Sequence, residues 1–145
     1  MTSVTSSAGQ GVVYVEHLEG VEPAHLSGFF EGWRHPPSPA THLRLLRGCD
    51  HVVLALDVSS AQVVGFVTAL SDGVLSAYLP LLEVLPEYRG RGIGSALVRR
   101  VLQRLEGLYM VAVTCDAELQ SFYARFGLGP AVGASRRDHA RQSGT

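Results

Sequence analysis

Short runs of β-branched and apolar residues recur through the middle of the chain and predict a β-sheet. Residues 51–56 and 62–70 form two such runs with a polar connection between them, a pattern typical of an antiparallel pair. The turn at residues 71–73 leads into a third run, residues 74–85, which Pro80 interrupts. Because proline cannot donate a ladder hydrogen bond, we expect a bulge or an end of strand pairing at Pro80.

Helical periodicity follows this sheet. Residues 93–106 have one apolar face and one face rich in Arg and Gln, and they predict the clearest helix. The run at residues 109–114 predicts a buried strand. Residues 116–126 predict a helix that Asp116 caps and on which Leu119 faces inward.

The part of the chain before the sheet is less regular. Residues 12–18 predict a short strand, and residues 23–33 predict a helix because their large apolar side chains recur at helical spacing. After a proline-rich break, residues 40–47 predict a second short helix. This order of elements is typical of an α+β, or mixed α/β, domain on one central sheet.

Length and charge limit the kinds of partner. The 145 residues fit one domain, which we place at residues 11–135 between a flexible tail at 1–10 and a polar C-terminal tail at 136–145. A net charge of −1 gives no bulk attraction to nucleic acid or anionic membranes, and no apolar run approaches a membrane span of about 20 residues. We expect neither partner, and the absence of a signal pattern favours the cytoplasm.

The reactive residue types exclude several chemistries. Cys49 and Cys115 are far apart and show no metal-ligand spacing, so we expect neither a zinc site nor a disulfide framework. All 12 basic residues are arginine, which excludes a lysine-dependent phosphate loop and a Schiff-base enzyme. Any phosphate must therefore be bound by arginine or by backbone N–H groups.

A glycine-rich turn at the start of the clearest helix predicts an anion site. The segment at residues 81–95 reads LLEVLPEYRGRGIGS, with three glycines and two arginines at the predicted helix start. The first N–H groups of a helix have no internal partner, its dipole is positive there, and glycine permits close approach. The arrangement suits a pyrophosphate, although glycine clusters also occur in ordinary strand-to-helix turns.

Two motifs resemble the signatures of the GNAT superfamily of N-acetyltransferases. The first is Arg or Gln, two residues, Gly, one residue, then Gly or Ala, and it is filled by Arg89, Gly92 and Gly94. The second, Asn-x-x-Ala-x-x-hydrophobic-Tyr-x-x-x-Gly-Phe, is similar to CDAELQSFYARFGL, with Asp116 in place of Asn and Tyr123 in register. The resemblance implies transfer of an acetyl group from acetyl-CoA to a primary amine of an unidentified acceptor, a small molecule or a peptide, by direct attack and without a metal.

The resemblance covers residues 62–128 and implies a fold and a cofactor site. The fourth and fifth strands of a mostly antiparallel sheet splay apart, helices flank the sheet, and the pantetheine arm lies in the gap. The implied cofactor-binding residues lie on the fourth strand, in the glycine turn and at the start of the second motif. They are Leu82, Val84, Arg89, Gly90, Arg91, Gly92, Ile93, Gly94, Ser95 and Asp116. Arg99, Arg100 and Arg104 are implied as further partners of the nucleotide phosphates.

The resemblance also implies catalytic roles. Tyr123 corresponds to the family's general acid near the thiolate, although a packed helix tyrosine has the same sequence context. Glu83 is a candidate general base, and a carboxylate that faces solvent or pairs with an arginine is the alternative. Four histidines, His25, His35, His42 and His51, are further candidates. We interpret Cys115 as a small apolar core residue, since no histidine is near it in sequence.

The sequence leaves two alternative functions to consider and predicts a homodimer. A non-catalytic acyl-CoA-binding or protein-interaction module would keep the glycine turn without needing Tyr123. A Rossmann-type nucleotide binder would need parallel βα units, which the antiparallel pattern disfavours. The chain after Pro130 is short for the family's last two strands, so we expect a homodimer with residues 131–135 at or near the interface.

Overall fold

The computed structural model describes residues 11–145, so the predicted tail at residues 1–10 lies outside the described residues. It is an α+β domain with a six-stranded mixed sheet and three α-helices in the described part, which confirms the predicted fold class. The elements in chain order are β1 Val12–Val15, α1 Pro39–Arg47, β2 His51–Asp57, β3 Val63–Ser71, β4 Ser76–Tyr78, β5 Leu82–Val84, α2 Ile93–Arg104, β6 Met110–Ala112 and α3 Gln120–Ala124.

The sheet has the strand order β1-β2-β3-β4-β6, with β5 paired to β3. Each pairing is antiparallel except that of β4 with β6, which is parallel. The fourth strand implied by the resemblance is thus divided into β4 and β5, and the implied fifth strand is β6.

Helices cover both faces of the sheet. On the face that we call the α2 face, a Cβ added to Gly65 of β3 would lie 3.2 Å from atoms of Ile93 and of Leu97, so glycine lets α2 lie close to β3. On the opposite face, the α1 face, the rings of His42 and Phe66 have centroids 4.5 Å apart. The core is therefore formed by β2, β3 and the two helices that enclose them.

The predicted helix at residues 23–33 is wrong. Only a 3-10 turn, Pro23–Leu26, forms there. Gly28, Phe30 and Gly32 then have φ values of 93°, 65° and 77°, a left-handed conformation that no α-helix contains. The helical spacing of the apolar residues instead reflects a loop whose aromatic rings pack onto the α1 face.

Four further predictions about the second half of the chain need correction. Tyr109 and Met110 are 82% and 49% exposed, so the strand predicted as buried is an exposed edge. Residues 116–126 divide into a 3-10 turn and the short α3, and the Asp116 side chain makes no capping hydrogen bond. Leu119 is 44% exposed rather than inward-facing. The spacing of apolar residues in a short segment does not indicate whether another element of the fold packs against it and buries it.

The polar C-terminal tail lies against α1 and the residues that precede it. The Arg44 guanidinium donates to the Gly144 carbonyl at 2.8 Å, and the His35 N–H donates to the Gln142 side chain at 3.0 Å. No strand follows β6 within residues 11–145. The outer edge of β6 is therefore open in this part of the chain.

His42 is a buried polar residue with an expected effect on stability. It is 1% exposed, neither ring nitrogen has a hydrogen-bond partner among residues 11–145, and burial lowers its pKa to about 4. The unfolded chain takes up the proton near the ordinary pKa of about 6.5. Stability from the neutral ring is thus complete above about pH 6.5, and it is lost as the pH falls towards 4, by about 3 kcal/mol.

We therefore expect His42→Leu to flatten the acid limb of the stability profile. Urea unfolding between pH 7 and pH 4 measures the free energy of unfolding for both proteins. The difference between variant and wild type should grow by about 3 kcal/mol as the pH falls, because the other titrating groups are common to both. Parallel profiles would show that His42 keeps its ordinary pKa in the folded protein.

Candidate active site

A one-residue bulge interrupts the sheet at Pro80. Leu70 of β3 lies opposite Tyr78 of β4, whereas Val67 lies opposite Leu82 of β5, so the register shifts by one residue between the two pairings. Such a shift requires one extra residue on the outer strand. The interruption that the sequence predicts at Pro80 is therefore present.

The bulge opens a gap between β5 and the end of β6. The Leu79 N–H donates to the Ala112 carbonyl at 3.0 Å, which continues the β4–β6 pairing. Pro80, the next residue, has no N–H. Within residues 11–145, β5 then pairs with β3 alone. The two outer strands separate beyond Leu79 and Ala112, which form the apex of the gap.

Backbone groups of β5 point into this gap. Leu81 accepts a hydrogen bond from β3 at 3.0 Å, and Leu85 donates one to β3 at 2.8 Å. Because successive residues of a strand point to opposite edges, the N–H and C=O groups of Leu82 and Val84 face away from β3. The Arg89 guanidinium donates to the Val84 carbonyl at 3.0 Å.

The glycine turn presents backbone N–H groups at the start of α2. Gly90 and Gly92 have φ values of 76° and 80°, and a Cβ at either position would meet no atom of the described residues within 4 Å. Gly92 is the N-cap and provides no side chain to occupy the first-turn N–H groups. Those groups belong to Ile93, Gly94 and Ser95. The turn is therefore an open and electropositive recess.

Arg125 is a residue that the sequence reasoning missed. Its guanidinium donates to the Ser95 hydroxyl at 2.7 Å, at the first turn of α2, and lies over the rings of Phe122 and Phe126 at 5.3 and 5.5 Å. Its position two residues after Tyr123 was visible, but spacing alone does not place α3 beside α2. The stacking holds a positive charge next to the glycine turn.

The other arginines divide between the turn and the far end of α2. Arg91 donates to the Glu87 carbonyl at 3.0 Å and stays within the turn. Arg100 lies over the Tyr14 ring at 4.8 Å, and Arg104 lies 3.6 Å from Glu16. These last two contact β1 or the residue after it, so they do not extend the cluster at the glycine turn as the sequence implied.

Tyr123 lies on α3 and is 6% exposed. Burial raises the pKa of its hydroxyl, and a charge on Cys115 would raise it further. The hydroxyl makes no hydrogen bond to another group within residues 11–145. Tyr123 therefore carries a proton at neutral pH and has it available for another partner.

Glu83 faces the loop on the α1 face rather than open solvent. Its carboxylate accepts the Phe30 N–H at 2.8 and 3.0 Å and the Glu31 N–H at 3.4 Å. Half-burial raises the pKa of Glu83, while the two N–H groups and the Arg89 charge oppose the rise. Glu83 lies opposite Phe66 of β3. The carboxylate holds the left-handed Phe30 in place and remains a candidate proton acceptor.

The remaining candidates are more distant or differently engaged. Asp116 is exposed and precedes the 3-10 turn that leads into α3. The His25 ring accepts the Glu22 N–H at 3.0 Å. In the described residues, no group of three or more His, Cys, Asp or Glu side chains could hold a metal ion. No described helix is long and apolar enough to cross a membrane.

Comparisons with known proteins bear on this site. The sequence profile described as "Acetyltransferase (GNAT) family" matches residues 18–128. A crystal structure of a candidate acetyltransferase from Deinococcus radiodurans R1 is 47% identical over 92% of both chains, with a TM-score of 0.89. A GNAT-family acetyltransferase structure from Streptococcus pneumoniae TIGR4 is 24% identical over 88% of this chain and 98% of that one, with a TM-score of 0.70, and shows the fold alone.

One relative of known designation matches over a shorter stretch. It is GCN5-related N-acetyltransferase 3, chloroplastic, from Arabidopsis thaliana, which is 36% identical over 76 residues. The match covers 51% of this chain and 32% of the relative. The chain thus spans about a third of that relative's length.

Proposed function

The chain belongs to the GNAT family of acetyltransferases, and we propose that it transfers an acetyl group from acetyl-CoA to a primary amine by direct attack. The observation that carries the proposal is the open edge of β5, which is followed by a single 3-10 turn, Pro86–Tyr88, and then by the glycine turn at the start of α2. This edge and this turn offer backbone groups to a pantetheine arm and to a pyrophosphate in succession.

The residues present fit acetyl-CoA. The outward backbone groups of Leu82 and Val84 would hold the pantetheine arm. The hydrogen bond from the Arg89 guanidinium to the Val84 carbonyl would have to break when the arm binds. The N–H groups from Gly90 to Ser95, with Arg91 and Arg125, would hold the phosphates. Asp116 is exposed near the start of α3, and its carboxylate would have to face away from those phosphates.

Proton transfer is assigned to Tyr123 on α3 and to Glu83 on β5. When bound, acetyl-CoA supplies an acetyl group activated as a thioester. Tyr123 would donate its proton to the leaving sulfur, since its hydroxyl is protonated and has no other partner in the described chain. Glu83, whose pKa is raised, would accept the proton of the amine directly or through water. Cys115 needs no role, because direct attack forms no bond to the protein.

Release of free CoA from acetyl-CoA, followed with a thiol reagent, tests the proposal. We expect the release to rise when a panel of primary amines is added and to follow amine concentration. The alternative is a non-catalytic acyl-CoA-binding or protein-interaction module on the same fold. That module would bind acetyl-CoA with no amine-dependent release.

We expect Arg125→Ala to weaken CoA binding about tenfold, since a charge-assisted contact contributes about 1.5 kcal/mol. Isothermal titration calorimetry with CoA measures the change. Arg104→Ala is the matched control, because Arg104 lies on the same helix but 3.6 Å from Glu16, away from the glycine turn. Equal losses in the two variants would contradict a specific role for Arg125.

We also propose a homodimer with residues 131–135 at or near its interface. Val132 is fully exposed at 105%, and the outer edge of β6 is open in the described chain. Exposed strand edges tend to find partners. Sedimentation velocity at micromolar concentration should show twice the mass of one chain, and Val132→Glu should reduce it. A monomer at that concentration would contradict the assembly.

A further inference from the structure

An open groove of about 520 Å³ lies on the sheet beside the apex of the gap. It lies where β3, β4 and β6 run side by side. Its volume is in the range of sites for small molecules, about 300–1,000 Å³. The lining includes Tyr78 and Ala112, so one end of the groove reaches the apex.

The groove lies on the same face of the sheet as Glu83. Leu70 is two positions from Thr68 and four from Phe66 on β3, so all three share the α1 face. Tyr78 lies opposite Leu70, and Glu83 lies opposite Phe66. Tyr78 and Glu83 are five residues apart and would point to opposite faces of a regular strand, but the extra residue of the bulge at Pro80 places them on the same face. An acceptor in this groove would therefore approach the apex from the side that carries the candidate base.

The floor of the groove is apolar. Leu70, Tyr78 and Met110 line it and are 43%, 37% and 49% exposed. The described part of the chain has nine large hydrophobic residues that are exposed, and these three are among them. Their side chains form a continuous surface because β3, β4 and β6 are neighbours. Such a surface suits the hydrocarbon part of a ligand.

The ionisable groups of the groove are acidic. Asp50 and Asp72 line it, and its lining within residues 11–145 includes no arginine or histidine. Asp72 accepts the N–H groups of Val74, Leu75 and Ser76, which lower its pKa and keep it ionised. Asp50 likewise accepts the Ser71 N–H at 2.7 Å, and the two carboxylates give the groove a negative charge that complements a cation.

Two hydroxyl groups stand at the inner end of the groove. The Tyr78 hydroxyl and the Thr114 hydroxyl are 2.6 Å apart and join β4 to the residues that follow β6. Tyr78 lies opposite Ala112, next to the last β4–β6 hydrogen bond. Hydroxyl oxygens can accept hydrogen bonds from a neutral amine while its lone pair stays free.

We propose that this groove binds the acceptor and that the acceptor is a small diamine with an apolar chain. The proposal rests on the proposed function. The amine that attacks must be uncharged, so the charge of Asp50 and Asp72 complements a second amine that stays protonated. The Asp72 N–H donates to the Ser76 carbonyl at the start of β4, and the Tyr78 hydroxyl belongs to the last residue of β4. The apolar chain of the acceptor would therefore extend along β4 between the charged turn and the hydroxyl pair.

A series of three probes isolates the far end of the acceptor. They are 1,5-diaminopentane, n-pentylamine and 5-aminopentanoate, which share one amine and a similar chain and differ in carrying a positive, a neutral or a negative group. Calorimetry on the protein without acetyl-CoA should rank their affinities in that order, with about tenfold between the first and the last. Acetylation rates at low probe concentration should follow the same order.

Two variants test the residues. Asp50→Asn with Asp72→Asn keeps an oxygen for the turn N–H groups but removes both charges, and it should reduce the diamine preference to about twofold or less. Asp138→Asn, at the capping aspartate of the C-terminal turn, is the matched control and should leave the preference unchanged. Tyr78→Phe should raise the KM for the diamine more than it lowers kcat, and leave acetyl-CoA affinity unchanged.

The outcomes distinguish failure of the groove assignment from failure of the proposed acetyltransferase activity. Equal binding of the three probes would overturn the groove assignment even if other amines are acetylated. If no amine is acetylated but the charge-dependent binding is present, the groove assignment stands and the proposed function fails. If Met110→Glu dissociates a dimer that sedimentation detects, and no probe binds, a second copy of the chain covers the groove and the proposal is overturned.

Discussion

Replacing Tyr123 by phenylalanine is expected to lower kcat by about 10²- to 10⁴-fold, the usual contribution of a positioned general acid. The affinity for acetyl-CoA should change little, because the aromatic ring stays in place. The structure supports this expectation in two ways. Burial raises the pKa of the hydroxyl, so the proton is present at neutral pH, and no group in residues 11–145 takes it by hydrogen bonding.

The matched control is Tyr109→Phe, since Tyr109 is 82% exposed on the edge strand and should show wild-type kcat. Steady-state kinetics give kcat and KM, and calorimetry gives the affinity for acetyl-CoA. Loss of a hydroxyl without a hydrogen-bond partner should leave Tm nearly unchanged. If kcat is unchanged and only Tm falls, Tyr123 is a packing residue and the assigned role is wrong.

Gly92→Glu is expected to abolish CoA binding. The N-cap position of α2 is open, so a carboxylate there would lie beside the N–H groups that are assigned to the pyrophosphate and would repel it. The left-handed backbone at Gly92, with φ of 80°, adds a cost of about 1–2 kcal/mol for any larger residue. Calorimetry with CoA should show no measurable heat of binding.

The strain needs its own control. Gly73→Glu places the same side chain at a φ of 73° in the turn between β3 and β4, where the added Cβ also has no atom of the described chain within 4 Å. We expect it to lose similar stability and to keep its affinity for CoA. If Gly92→Glu binds CoA as well as wild type does, the glycine turn is not the pyrophosphate site.

Local sequence patterns correctly predicted the elements that depend mainly on residues close to one another in the sequence. β2 and β3 pair antiparallel as their β-branched runs indicated, and α2 follows the apolar period of its sequence. The interruption at Pro80 follows from proline's missing N–H. Such features depend on residues that are close in sequence, so a pattern is sufficient to find them.

Contacts between distant residues could not be predicted in the same way. The Glu83 carboxylate binds backbone N–H groups 52 and 53 residues earlier in the chain, and Arg125 reaches Ser95 across 30 residues. The loop around Phe30 has helical spacing but a left-handed backbone. In each case the local pattern is compatible with several conformations, and the packing of another element selects one of them.

Transfer of labelled acetyl from acetyl-CoA to an amine, followed by rapid quench, distinguishes direct acetyl transfer from acyl-CoA binding alone. We expect the label to pass into the amine in step with CoA release while the intact mass of the protein stays unmodified throughout. Label that remains in acetyl-CoA with every amine, despite binding, would identify a non-catalytic binding module. Label found on Cys115 before it reaches the amine would contradict direct attack.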